Sequence, residues 1–159
     1  MNVEPGTVDD ADVVADLWVD LASEQGRYGS HVRTGSNRTL VRDELARYAA
    51  TDRLLVARAD GIVGFATYTV EEGTYSLNVV RGLVENIYVR PEYRNRGVGG
   101  DLLAAAERRL ADRGADVVAL ETLADNDDAR RFYRRQGYEP HRVTLEKPVQ
   151  SDNHSREDE

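Results

Sequence analysis

The sequence predicts a single α/β domain: a mixed, mostly antiparallel central sheet with helices on both faces. Three observations carry that prediction. Apolar residues recur at helical spacing over residues 9–25 and 38–50, and the period then shortens to strand-like runs between 54 and 89. Two of those runs are joined by Asp60-Gly61, a short-hairpin signal that makes them antiparallel neighbours. Beyond residue 97 the pattern alternates helix, strand, helix, strand, as a chain laying helices over a sheet does. At 159 residues the chain is one domain by length, and a domain of that size buries about 70% of its unfolded surface.

Residues 3–8 read as a short first strand. A helix over 9–25 puts Val13, Val14, Leu17, Trp18 and Leu21 on one side, and 26–37 is loop by its Gly, Ser and Asn content. The second helix, 38–50, carries Leu40, Val41, Leu45 and Tyr48. Strands follow at 54–59, 62–71, 74–80 and 82–89, the last two as one bent strand or two. A helix over 97–113 ends at Gly114, a glycine suited to the left-handed residue that closes a helix. A short buried strand at 117–121, a helix at 127–136 stopped by Gly137 and a last strand at 138–146 complete the domain, which spans 1–147. Residues 148–159 (PVQSDNHSREDE) are polar and are expected to form a disordered acidic tail.

Composition narrows the function. The net charge of −8 argues against nucleic acid or an anionic membrane as partner, because both require a basic face; it favours a substrate that carries positive charge. Of the 21 basic residues only Lys147 is a lysine, a bias that fits either genome composition or adaptation to high salt. With no cysteine the chain has no disulfide, thiolate nucleophile or cysteine metal site. His141 and His154 have no sequence partners as metal ligands, so no metal is expected. No apolar run approaches the ~20 residues of a membrane span. Met1-Asn2-Val3-Glu4-Pro5 lacks the basic and apolar regions of a signal peptide, and the expectation is a cytoplasmic protein.

Residues 89–100, Val-Arg-Pro-Glu-Tyr-Arg-Asn-Arg-Gly-Val-Gly-Gly, are the most informative stretch. They join an apolar strand to the start of a helix. Gly97, Gly99 and Gly100 let a ligand approach the backbone, and the first amides of the helix have no intrahelical acceptor and sit at the positive end of its dipole. Arg94 and Arg96 flank that point. Strand, Arg/Gly-rich turn and helix N-terminus together make a phosphate site. A dinucleotide fingerprint would need G-x-G-x-x-G and an acidic residue after the next strand; here the spacing is Gly97-x-Gly99-Gly100, preceded by arginines, in a sheet that reads antiparallel.

Arg94-x-x-Gly97-x-Gly99 after a strand ending in Val-x-Pro resembles the acyl-CoA loop of the GNAT superfamily of N-acetyltransferases. Downstream, Asn126, Ala129, Phe132-Tyr133 and Gly137-Tyr138 are similar to that family's N-x-x-A-x-x-[FL]-Y-x-x-x-G-[FY] segment. The likeness covers residues 3–147, with its specific motifs between 83 and 138, and it implies a GNAT-like fold. It implies acetyl-CoA as co-substrate, its pyrophosphate on the backbone of Arg94, Asn95, Arg96, Gly97, Val98, Gly99 and Gly100. The pantetheine arm would lie along Ile87, Tyr88 and Val89, whose strand amides also serve the thioester oxygen, and would touch Asn126, which reads independently as a helix cap. Tyr133 stands where the family places its general acid; a phenol, with a reference pKa of about 10, suits proton delivery to a departing thiolate.

Glu85, within Leu83-Val84-Glu85-Asn86-Ile87-Tyr88-Val89, shares a strand face with Leu83, Ile87 and Val89 by alternation. A carboxylate among apolar neighbours needs a partner or a task. The Glu85-Asn86 pair is similar to the acidic pair of diamine and polyamine acetyltransferases, which makes Glu85 a candidate base or substrate anchor. Tyr28 and His31, in the loop between the first two helices, are candidate substrate-wall residues. The expected reaction is direct acetyl transfer in a ternary complex to a primary amine, a small amine or polyamine. The alternatives are a protein N-terminal or lysine acceptor, or a non-catalytic acyl-CoA-binding regulator. The family likeness admits a homodimer.

Overall fold

In the computed structural model, which describes residues 1–72 and 75–150, five strands form one sheet in the order β1-β2-β3-β4-β5. The strands are β1 (Asn2–Pro5), β2 (Leu54–Ala59), β3 (Gly61–Val70), β4 (Arg81–Val89) and β5 (Val117–Leu120); the helices are α1 (Ala11–Gly26), α2 (Arg38–Ala50), α3 (Val98–Asp112) and α4 (Asp127–Arg135). Each neighbouring pair from β1 to β4 is antiparallel, and only β4–β5 is parallel, joined by the α3 crossover.

Both faces of the sheet are covered, so its central strands are almost continuously apolar. Leu54, Val56 and Phe65 point to the layer of α1 and α2, where they meet Val14, Leu17, Leu21 and Leu45. Leu55, Ala57, Ala66 and Tyr68 point the other way, onto Leu102, Leu103, Ala106 and Leu110 of α3. Val13 and Leu40, placed by spacing on the buried sides of α1 and α2, are 41% and 61% exposed. The buried stripes are narrower: Val14, Leu17 and Leu21 on α1, and Leu45 on α2. β1 stops at Pro5, and the Thr7–Asp10 capping contacts that follow, in which the Asp10 carboxylate accepts from the amide and hydroxyl of Thr7, start the 3-10 turn Val8–Asp10 that leads into α1.

Two expected strands are absent from the described residues. Residues 75–80 form no strand; Thr74, the first residue of that expectation, lies outside the described residues. The connection is closed tightly behind them, by the Glu71 amide donating to the Arg81 carbonyl (2.8 Å) and by the two-pronged Arg81–Glu71 ion pair, which leaves 75–80 as a loop. Residues 138–146 alternate like a strand yet form no ladder with any described residue. A strand without a hydrogen-bonded neighbour is not stable in water. Of the expected tail, 148–150 have no regular structure and 151–159 lie outside the described residues.

β4 does not run straight. Thr67 pairs with Asn86 and Tyr68 with Val84, so Glu85 is an extra residue, a bulge. The side-chain alternation changes phase there: Val84 packs on the α3 side before the bulge, and Ile87 and Val89 after it, while Tyr88 faces α1 and α2. The buried Thr67 hydroxyl accepts from the Asn86 amide at 2.9 Å and holds the irregularity in register.

Candidate active site

The bulge relocates Glu85. Rather than sharing a face with Ile87 and Val89, it is exposed and turned toward the α1/α2 layer, where the Tyr48 hydroxyl of α2 donates to its Oε1 at 2.7 Å. One carboxylate oxygen is thereby oriented and Oε2 has no hydrogen bond among the described residues. The Tyr48 phenol is pushed up to about 12, first by burial and then by the adjacent Glu85. The Arg53 guanidinium stacks over the Tyr48 ring at 3.9 Å. Nothing in the local sequence connects residues 48 and 85; only the fold does.

The β4–β5 ladder ends at Val84–Leu120, so β4 runs on from Glu85 to Val89 with no described strand beside it on that side. The Arg90 amide donates to the Val63 carbonyl across β3 at 2.8 Å. By the alternation of an antiparallel ladder, the amides of Ile87 and Val89 then point away from β3, into the gap. Among the described residues these donors have no acceptor, and they face the opening past the end of the β4–β5 ladder.

At the mouth of the gap lies the glycine loop. Asn95 and Gly97 adopt left-handed backbone conformations (φ 62° and 84°), and Gly97 is the N-cap of α3 with no capping side chain. None of the amides from Asn95 to Gly100 donates to a protein acceptor among the described residues; the first bond of the helix is Asp101 to the Gly97 carbonyl, 3.0 Å. Consecutive unpaired amides with alternating backbone handedness at the positive end of a helix form a concavity suited to a phosphate or pyrophosphate. Arg94 is committed to the protein. Its Nε donates to the Val89 carbonyl (2.9 Å), its Nη2 to the Glu24 carboxylate (2.8 and 3.0 Å), and it lies over the Tyr88 ring. It ties the loop to α1. Arg96 makes no ion pair among the described residues and rests against the exposed side of Tyr93.

α4 packs on the start of α3. The nearest atom to a side chain built at Gly99 is the Phe132 ring, at 3.4 Å, and at Gly100 it is Gln136 Nε2, at 3.7 Å. The Asn126 side chain caps α4 by accepting from the Ala129 amide at 3.2 Å. Tyr133 meets Phe132 and Tyr138 edge-on, with ring centroids 5.2 and 6.1 Å away. Burial lifts its phenol to about 12, and its hydroxyl has no hydrogen bond among the described residues. Tyr138 donates to Glu107 Oε2 at 2.6 Å, and burial together with that carboxylate raises its phenol as well. Tyr28 is half-buried and His31 exposed; His31 Nε2 lies 3.0 Å from Glu146 Oε1, and neither residue bonds to Glu85 among the described residues. A separate open cleft of about 330 Å³, between Asp20–Glu24 of α1 and Tyr88–Glu92, contains none of the loop glycines and neither Glu85 nor Tyr133.

Among the described residues five tyrosines, 48, 68, 88, 133 and 138, have raised pKa values, with burial as the first cause of each. A raised folded-state value means that the folded protein holds these protons more tightly than the unfolded chain, whose phenols titrate near 10. Their contribution to stability is complete below about pH 10 and is lost as pH rises through the folded values. The melting temperature is expected to hold up to about pH 10 and to fall steeply between there and about pH 12; melting curves across that range check it, and a flat profile would contradict the burial of these rings.

Residues 17–138 match the Acetyltransferase (GNAT) family, and the chain belongs to that family and so to the acyltransferases. It is similar to the aminoglycoside N(6')-acetyltransferase type 1 of Salmonella typhimurium, 33% identical over 89 residues, which cover 53% of this chain and 60% of the relative. The chain spans 19% and 54% of the length of two further curated relatives and 90% of a third. Among solved structures, a mutant of the BH1408 protein from Bacillus halodurans superposes with a TM-score of 0.83 at 19% identity, over 94% of this chain and all of that one. The aminoglycoside N-acetyltransferase AAC(6')-Iy in complex with CoA gives 0.74 at 20% identity, over 92% and 93%. The five-stranded, mostly antiparallel sheet with helices on both faces is the fold of these structures. No described helix is long and apolar enough to cross a membrane.

Proposed function

We propose that the chain transfers an acetyl group from acetyl-CoA directly to a primary amine, a small amine or polyamine, within a ternary complex. The observation that carries the proposal is the run of unpaired amides from Asn95 to Gly100 at the start of α3, next to the strand gap that exposes the amides of Ile87 and Val89. The first group takes the pyrophosphate, and the second takes the pantetheine arm and the thioester oxygen. Support for the donor comes from the AAC(6')-Iy structure, which holds CoA, and for an amine acceptor from a relative named for aminoglycosides.

The amine nitrogen attacks the thioester carbon, the carbonyl electrons move to oxygen under the strand amides, and collapse breaks the C–S bond with the pair leaving on sulfur. Tyr133 delivers a proton to that thiolate. The proton lost by the amine goes to Glu85, directly or through water; the Tyr48 hydrogen bond presents the free Oε2 for that purpose. An alkylammonium titrates near 10, so a base is needed at neutral pH. The same reading sets the enzyme in the cytoplasm.

Thiol release from acetyl-CoA with a panel of acceptors tests the reading: turnover is expected with spermidine-like amines. Turnover confined to peptides would move the acceptor to protein N-termini or lysines, and tight acetyl-CoA binding without any turnover would mark a regulatory module. Glu85→Gln is expected to lower kcat/KM for the amine by about tenfold or more at pH 7, within reach of what a general base contributes. The deficit should shrink toward pH 10, where the amine sheds its proton unaided. A deficit independent of pH would leave Glu85 an anchor and not a base.

A further inference from the structure

Between two fixed pairs, β4 carries one residue more than β3. Ala66 stands opposite Ile87 and Tyr68 opposite Val84, and all four pack on the α3 side of the sheet. Between these pairs β3 offers only Thr67, whereas β4 offers Glu85 and Asn86. Either could face Thr67 with the other as the bulge, and the apolar residues above and below would keep their sides. The choice decides where the carboxylate goes. With Asn86 opposite Thr67, Glu85 is the extra residue and accepts from the Tyr48 hydroxyl at 2.7 Å. With Glu85 opposite Thr67, the carboxylate would stand against Thr67 and the amide of Asn86 would be the group turned out.

Apolar packing does not make this choice. Tyrosines aside, Thr67 is the only polar side chain buried among the described residues, at 1% exposure. A hydroxyl in that position is costly unless it is bonded, and a carboxylate drawn in beside it would be costlier still. The neutral amide of Asn86 meets the need, donating from Nδ2 to Thr67 Oγ1 at 2.9 Å. We infer that Thr67 and Asn86 are positioning residues for the transfer reaction: their hydrogen bond selects Glu85 as the bulge and so presents it to the amine. They act through Glu85 and not on the acceptor, and the inference rests on Glu85 as the base. The titratable and charged groups around that carboxylate are Tyr48, which bonds to it, and Glu44 and Arg53, which flank the same ring.

Thr67→Val removes the acceptor and keeps a branched side chain suited to a buried strand; Thr67→Ser keeps the hydroxyl. At pH 7 Thr67→Val is expected to lower kcat/KM for spermidine by about tenfold, as Glu85→Gln does, with the deficit shrinking toward pH 10. Added to Glu85→Gln, it is expected to cost nothing further, because both changes remove the same interaction. Thr67→Ser is expected to keep the wild-type pH profile. Asn86→Ala removes the donor from the other strand, is expected to match Thr67→Val, and carries the test if that variant does not fold. Nuclear Overhauser contacts between the Tyr48 ring and the Glu85 side chain read the face without turnover. They are expected in wild type and Thr67→Ser and lost in Thr67→Val. Contacts that persist in Thr67→Val would overturn the inference, as would a deficit equal at every pH or one that multiplies that of Glu85→Gln. Full turnover by Glu85→Gln would instead end the base assignment, and the Overhauser contacts would then decide the face by themselves.

Discussion

Replacing Tyr133 by Phe is expected to lower kcat by about 100-fold while leaving acetyl-CoA affinity nearly unchanged. The magnitude is the lower end of what a positioned proton donor contributes. Burial lifts the Tyr133 phenol to about 12, whereas an ordinary thiol titrates near 8.5. On those values alone proton transfer to the thiolate runs uphill. The gap narrows because a sulfur lying in the same desolvated cleft has its own pKa raised, for the same reason. The ring stays in place in the variant, since its edge contacts with Phe132 and Tyr138 involve carbon and not the hydroxyl. Calorimetric titration with acetyl-CoA separates binding from turnover; unchanged turnover across pH would remove Tyr133 from the mechanism.

Gly64→Ala is expected to destabilise the fold by about 1–3 kcal/mol, the range for forcing an atom into a packed interior. A Cβ at this position would stand 2.7 Å from the Tyr88 carbonyl oxygen and 3.2 Å from Leu102 Cδ1. The first of these is backbone and cannot swing aside. Relief requires β3 and β4 to part where Gly64 faces Val89, beside the strand amides that the thioester would use. A melting temperature lower by about 3–10 °C is the expected reading for a chain of this length. Gly35→Ala is the control, because no described atom lies within 4 Å of its added carbon. Equal melting temperatures for the two variants would show that the strands tolerate the separation.

Elements defined by local periodicity are legible from the residues alone. The spacing over 9–25 and 38–50 yields α1 and α2, Asp60-Gly61 yields the hairpin with Gly61 at φ 87°, and the glycine loop opens α3 as read. What local pattern does not give is whatever depends on a distant partner. Strict alternation places Glu85 with Ile87 and Val89, because a bulge is set by how β3 and β4 pair and not by β4 alone. Tyr48 on Glu85, and Glu24 on Arg94, join residues far apart in sequence. Residues 138–146 fail for the same reason in sharper form: the pattern is that of a strand, and the missing requirement is a neighbour.

The gap between β4 and β5 exposes unsatisfied strand amides, ordinarily an invitation to sticking between molecules. This opening begins where the β4–β5 ladder ends, at Val84 and Leu120. β5 flanks it below, and the α4 and α3 termini crowd its mouth. A polypeptide with side chains on both faces needs the full spacing between strands, about 4.8 Å on either side, to lie in such a slot. A thin unbranched arm with an amide every few atoms does not. On the proposed reading, the coenzyme's arm reaches these donors just past the end of the β4–β5 ladder.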